Sequence, residues 1–144
     1  MKRLDSIYCA IIVTAAALAL NSWLNQQAEP VPADAPATEF SGERAMTMLR
    51  EFLAEDEPHP VGSNANQRVK QRIKDWLSKE GISFEEQKAW ACAQKYPSCS
   101  SVENIIAVLP GQVAAPYVAM MAHYDSVPHA PGAGDDMAGV VAVL

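Results

Sequence analysis

His123-Tyr124-Asp125-Ser126 and, shortly after it, Pro131-Gly132-Ala133-Gly134-Asp135-Asp136-Met137-Ala138-Gly139 decide how this chain is read. They follow an apolar run, Tyr117-Val118-Ala119-Met120-Met121-Ala122, which is short, bounded by Pro116 and predicts a buried strand. From Asp136 to Leu144 the pattern predicts the start of an apolar helix. One His, one Asp and an Asp-Asp pair thus fall in a loop at the carboxyl end of an expected parallel strand, the edge where open α/β sheets place their ligand sites. Neutral imidazole with carboxylates is the ligand set of a divalent metal, zinc first.

Spacing adds to composition. In a strand, His123 and Asp125 point to the same side, so His123 can bind a metal while Asp125 orients it from behind. Asp135 and Asp136 stand where a loop becomes a helix, and the free N–H groups and dipole of a helix start favour carboxylates. One of the pair would bridge two metals and the other would cap the helix. The bland reading, a polar loop with capping aspartates and an exposed His, holds for any one of these residues alone. It does not hold for the whole string in its strand–loop–helix context.

The string His-Tyr-Asp-Ser, then Pro-Gly-Ala-x-Asp-Asp-x-x-Gly, resembles the first metal-binding segment of the M28 family of zinc aminopeptidases. The resemblance is to its membrane-anchored branch, which includes endoplasmic-reticulum metallopeptidases and vacuolar membrane proteases. It implies that His123 ligates one zinc, that Asp135 bridges two zinc ions, and that Asp125 holds His123; Asp136 is not a ligand. The M20 family also uses His-x-Asp and a later Asp, but continues with Lys-Gly where this chain has Met137-Ala138-Gly139. A second string, Pro58-His59-Pro60-Val61-Gly62-Ser63, resembles a segment of the same M28 branch about sixty residues ahead of the His-x-Asp. His59 reads there as a structural turn residue rather than a ligand, Gly62 as a position of unusual backbone angle, and Ser63 as a helix cap.

The chain has 144 residues and 49% hydrophobic content, room for one domain at most. A net charge of −6 excludes a general affinity for nucleic acid. Residues 1–24 read as a signal peptide or a signal-anchor helix. Lys2 and Arg3 precede an apolar run from Ile7 to Leu20, Ala17-Leu18-Ala19 offers a cleavage site, and Trp23 sits like an interfacial anchor. Either way the remainder is expected on the non-cytoplasmic side. Residues 25–39, with Pro30, Pro32 and Pro36, read as an extended spacer.

Residues 40–144 are expected to form the N-terminal part of the catalytic domain. Phe40 to Asp56 predicts an amphipathic helix capped by Ser41, with Ala45, Met48, Leu49, Phe52 and Leu53 on its buried stripe. Asn64 to Glu80 predicts a second, with Val69, Ile73, Trp76 and Leu77 buried, Gly81 at its C-cap, and Arg68, Lys70, Arg72 and Lys74 on a solvated face. Strands are expected over Ile82 to Ala93, Val102 to Leu109 and Tyr117 to His123. The fold class is α/β: an αβα sandwich with a mixed, mostly parallel sheet, incomplete in this chain, preceded by an apolar helix. Cys92 and Cys99 flank a turn signal at Tyr96-Pro97-Ser98 and, in an exported domain, suit a disulfide.

In M28 enzymes a Glu-Glu pair, then an Asp and a His, come later and supply the catalytic base and remaining ligands. All would lie beyond Leu144, so the chain reads as the N-terminal piece of a longer protein. The expected activity is that of a zinc-dependent aminopeptidase acting on peptides. The alternative is a non-catalytic M28-like ectodomain that binds a partner; intact His123, Asp125 and Asp135 favour the enzyme.

Overall fold

The computed structural model describes residues 2–26, 28–95, 97–113 and 118–144, with side chains from residue 7 onward. The chain divides into two compact units, residues 1–31 and 32–144. The first is helix α1 (Lys2–Leu24). Its segment Ile7–Leu24, with a mean hydropathy of 1.9 and none of it buried, is long and apolar enough to cross a membrane. A signal sequence near an N-terminus passes the same test.

The second unit begins with a correction. The proline-rich stretch is not all spacer: residues 32–39 are strapped onto α2 (Gly42–Phe52). Proline removes donors but leaves carbonyls, and Arg44 collects them. Its guanidinium donates to the carbonyls of Ala33 (2.9 Å), Ala35 (2.7 Å) and Glu39. Glu43 accepts the Ala33 N–H at 2.9 Å, and the Ser41 hydroxyl donates to the Pro32 carbonyl at 2.8 Å. That same hydroxyl accepts the Arg44 N–H, so Ser41 caps α2 as expected.

Helix α3 (Asn64–Lys79) starts where expected and ends one residue earlier, at the Glu80 C-cap, with the Ser63 hydroxyl accepting the Asn66 N–H at 3.0 Å. Its end is a Schellman motif: Ile82 N–H bonds the Leu77 carbonyl, Gly81 N–H bonds the Ser78 carbonyl, and Gly81 takes the left-handed angle (φ +71°) the motif requires. The basic residues of α3 form a solvated face only in part: Arg68 is exposed, but Arg72 and Lys74 are partly buried. Lys70 is buried against Glu103 and Glu86, while Arg68 and Arg72 pair with Glu55, and Arg68 also with Glu57.

Strands β1 (Phe84–Cys92) and β2 (Cys99–Ala107) form an antiparallel hairpin. Cys92 and Cys99 are register partners at its turn end and are joined by a disulfide. The mostly parallel sheet expected from the sequence is not seen among the described residues. The connection spans only residues 93–98, and a parallel pair needs a crossover of a dozen or more residues. The third expected strand is likewise absent from 118–123; Tyr117 lies outside the described residues. Val118 and Met121 are about nine-tenths exposed, while Ala122 at the end of the run packs against the core.

A turn at Ala133–Met137 leads into helix α4 (Ala138–Val143). The core is Phe52 of α2, Val69, Ile73 and Leu77 of α3, and Met137, Val140 and Val141, with Phe84, Ile105 and Tyr124 packed against it. Burying one such side chain contributes about 1.5–3 kcal/mol, and Met137, at 0% exposure, pins the turn that carries Asp135 and Asp136.

The strap yields a test. A charge-assisted hydrogen bond contributes about 1.5–3 kcal/mol. Arg44→Ala should therefore make limited proteolysis between residues 33 and 39 at least about tenfold faster, while far-UV circular dichroism stays unchanged. Equal cutting rates in the two proteins would show that Arg44 does not hold the segment.

Candidate metal site

The loop from His123 to Asp135 is anchored at three points. Tyr124 donates its hydroxyl to the Glu103 carbonyl of β2 at 2.6 Å. Desolvation in this half-buried position, with the nearby charges of Glu103, Asp125 and Glu86, pushes its phenol up to about 12, so it stays a donor. Ser126 is buried and meets the Pro58-His59-Pro60 turn: its hydroxyl accepts the His59 N–H at 2.8 Å, and its own N–H donates to the His59 carbonyl at 3.3 Å. Met137 is the third anchor, and its N–H donates to the Gly132 carbonyl at 3.1 Å.

Held this way, His123 and Asp135 converge. His123 Nε2 lies 3.0 Å from Asp135 Oδ1. The other ring nitrogen, Nδ1, lies 3.0 Å from the Asp125 carbonyl oxygen and 3.4 Å from Asp125 Oδ1. Asp125 thus meets the ring at Nδ1, chiefly through its backbone carbonyl, although 123–125 is not a strand. Burial is the largest influence on the His123 pKa and lowers it. The hydrogen bonds to Asp125 and Asp135 and their two carboxylates together outweigh it, so the net shift is upward. Protonated, the ring donates from both nitrogens; a metal would take the place of the Nε2 proton.

The two neighbouring aspartates face different ways. Asp135 is exposed and turned to His123. The Asp136 carboxylate lies over Gly139, where an added Cβ would fall 2.6 Å from Asp136 Cγ. The expected capping of the following helix by one of the pair is not present: α4 has no side-chain cap bond, and Asp135 and Asp136 have non-helical backbone angles. The residues converge on a turn, not on a helix start.

Imidazole nitrogen and carboxylate oxygen are zinc donors. The described residues supply two of them at this point, and no group of three or more His, Cys, Asp or Glu side chains suited to a metal forms among them. A four-coordinate zinc would need further donors. His59 is not part of the set. It is 1% exposed, and its Nδ1 lies 3.2 Å from the Glu57 carbonyl oxygen, in keeping with a structural turn residue. Ser126 and Gly132 matter to the site, yet nothing in their spacing pointed to them; only the folded chain brings them to His59 and Asp135.

Comparison with known proteins places the family signal on this segment. Residues 104–144 match Peptidase family M28. No curated protein matches the chain. The match covers β2 from Asn104 onward, the exposed run and the whole His123–Asp135 loop, and it supports a peptidase, a hydrolase of peptide bonds.

The site hangs on the hairpin through an ion-pair network that predicts acid sensitivity. Side-chain hydrogen bonds from Lys70 and Lys88 hold the Glu103 carboxyl down at about 2, against an ordinary 4.5. Its contribution to stability is therefore complete above pH 4.5 and is lost as pH falls toward 2. Glu103→Gln should destabilise the protein at pH 7 by somewhat less than the about 3–5 kcal/mol of a broken buried pair, because Glu86 still faces Lys70. Urea titrations at pH 7 and pH 3 should show the gap between variant and parent narrowing at the lower pH.

Proposed function

We propose that this protein is a zinc-dependent aminopeptidase, anchored to or secreted across a membrane, with the domain after the apolar helix on the non-cytoplasmic side. One observation carries the reading: His123 Nε2 and Asp135 Oδ1 meet at 3.0 Å inside the segment that matches Peptidase family M28. The Cys92–Cys99 disulfide supports an oxidising compartment. The apolar span Ile7–Leu24 supports export or anchoring.

His123 would ligate one zinc through Nε2, with Nδ1–H directed to Asp125. Asp135 would bridge two zinc ions with the carboxylate that now faces His123. Zinc, when bound, supplies Lewis acidity toward the scissile carbonyl and the attacking water. The part played by this chain is to set the donors before the metal arrives. Asp125 fixes the ring orientation and raises its basicity, Asp136 stays turned toward Gly139, and Met137 keeps the turn from shifting. A catalytic carboxylate base is also required, and none of the described residues occupies that role.

Metal content and hydrolysis of an aminoacyl anilide, measured together on the full-length protein, test the assignment. Asp135→Ala should loosen both zinc ions together, and His123→Ala chiefly one. Asp125→Asn should retain metal but lose about 10–100-fold in affinity or activity. Zinc affinity should fall with pH below the raised His123 pKa, because the proton competes for Nε2. If Asp135→Ala keeps both ions at parent occupancy, the bridging role is wrong.

The topology has its own test. A reporter fused after Glu39 should be active only on the non-cytoplasmic side, and activity confined to the cytoplasm would overturn the proposed orientation.

A further inference from the structure

We propose that Ser126 is the positioning residue of the His123–Asp135 pair, and that the Pro58–Ser63 turn acts on the site through it; as a metal-site role this rests on the function proposed above. Two arms bear the donors. One runs from His123 through Asp125 to Ser126, and the other runs from Gly132 to Asp135. Both are referred to the same residue.

The first arm ends in a reciprocal clasp. His59 N–H donates to the Ser126 hydroxyl at 2.8 Å, and Ser126 N–H donates to the His59 carbonyl at 3.3 Å. The clasp is built on a fixed base. Asn66, buried in the first turn of α3, donates its side-chain amide to the same His59 carbonyl at 3.3 Å. The His59 ring is itself buried. The Ser126 hydroxyl has one proton, and it goes to the Val127 carbonyl at 2.9 Å. Accepting from His59 and donating to Val127 sets the serine rotamer and the direction in which the chain leaves it.

The second arm is fixed by close approach. Gly132 sits against Ser126: a Cβ at Gly132 would fall 2.8 Å from the Ser126 Cβ and 3.1 Å from the Asp135 carbonyl oxygen. Its left-handed backbone (φ +69°) suits glycine. Gly132 then receives the Met137 N–H, which closes the turn around Asp135. A rotation at Ser126 would move His123 from one side and Gly132, with Asp135 behind it, from the other.

The experiment uses the full-length protein in detergent, with 15N-labelled histidine and no metal. Its histidine ring signals, those of His59, His123 and His129 among them, are separated in a two-bond 1H–15N spectrum, with His123 assigned by the signal lost in His123→Ala. Ser126→Ala should shift the His123 ring signals, and Asn66→Ala should shift them in the same direction by less. Ile73→Val, a one-methylene core deletion elsewhere on α3, should leave them in place while lowering Tm, which separates positioning from loss of stability. Unchanged His123 signals in the folded Ser126→Ala and Asn66→Ala proteins, or an equal shift in Ile73→Val, would overturn the proposal. Titration with Co2+ forms the second arm. Ser126→Ala should bind about 10–100-fold more weakly than the parent, the range for residues behind a ligand. A parent that binds Co2+ no better than His123→Ala would overturn the metal reading, while the His123 ring signals would still decide the positioning role.

Discussion

An ammonium group removed from water must be answered by negative charge or the fold does not form, and Lys70 imposes that condition here. It is 6% exposed, on the face of α3 that the hairpin covers, and Glu103 and Glu86 answer it from β2 and β1. Lys74 adds a second tie to Glu86, and Lys88 a second to Glu103. The pairing fixes where the hairpin lies on α3. It also fixes where the Glu103 backbone carbonyl points, and that carbonyl receives the Tyr124 hydroxyl. The residue next to His123 is therefore set by a charge on a helix some fifty residues earlier.

The donors themselves are exposed: about half of the His123 side chain and 88% of that of Asp135 are open to solvent. What is buried lies one step behind them. Ser126 and Gly132 are packed together, Met137 fills the core, and Asp136 is held close to Gly139. Such a division would suit the proposed site, which would have to admit both a metal and a substrate while keeping its geometry. Polar groups at the surface cost little, and the rigid elements beneath them do the positioning.

The exposed apolar run belongs to the same picture. Val118, Met120 and Met121, just ahead of the loop in sequence, are exposed, as are Val108 and Leu109 at the end of the hairpin. A short apolar run makes a strand only where neighbours take its N–H and C=O groups and cover its faces. Among the described residues 118–123 no strand pairing forms, and Val118, Met120 and Met121 stay exposed.

Much of the local structure was legible in the sequence. Ser41 and Ser63 announced two helix starts, Gly81 a helix end, and the apolar stripes the faces of α2 and α3, because caps and periodicity are properties of neighbouring residues. Cys92 and Cys99 could be paired from the turn between them. The His-x-Asp spacing and the Asp-Asp pair singled out the segment in which His123 and Asp135 meet. The antiparallel pairing of β1 and β2 also follows from chain length: the expected strands ended at Ala93 and restarted at Val102, too little chain for a parallel crossover. Only the tertiary structure decided the rest. It strapped residues 32–39 to Arg44, buried Lys70 beneath the hairpin, turned Asp135 toward His123 and Asp136 toward Gly139, and joined His59 to Ser126. Each of these is a contact between side chains or backbone groups that only the completed fold orients or brings together, and no local pattern encodes the distance between them.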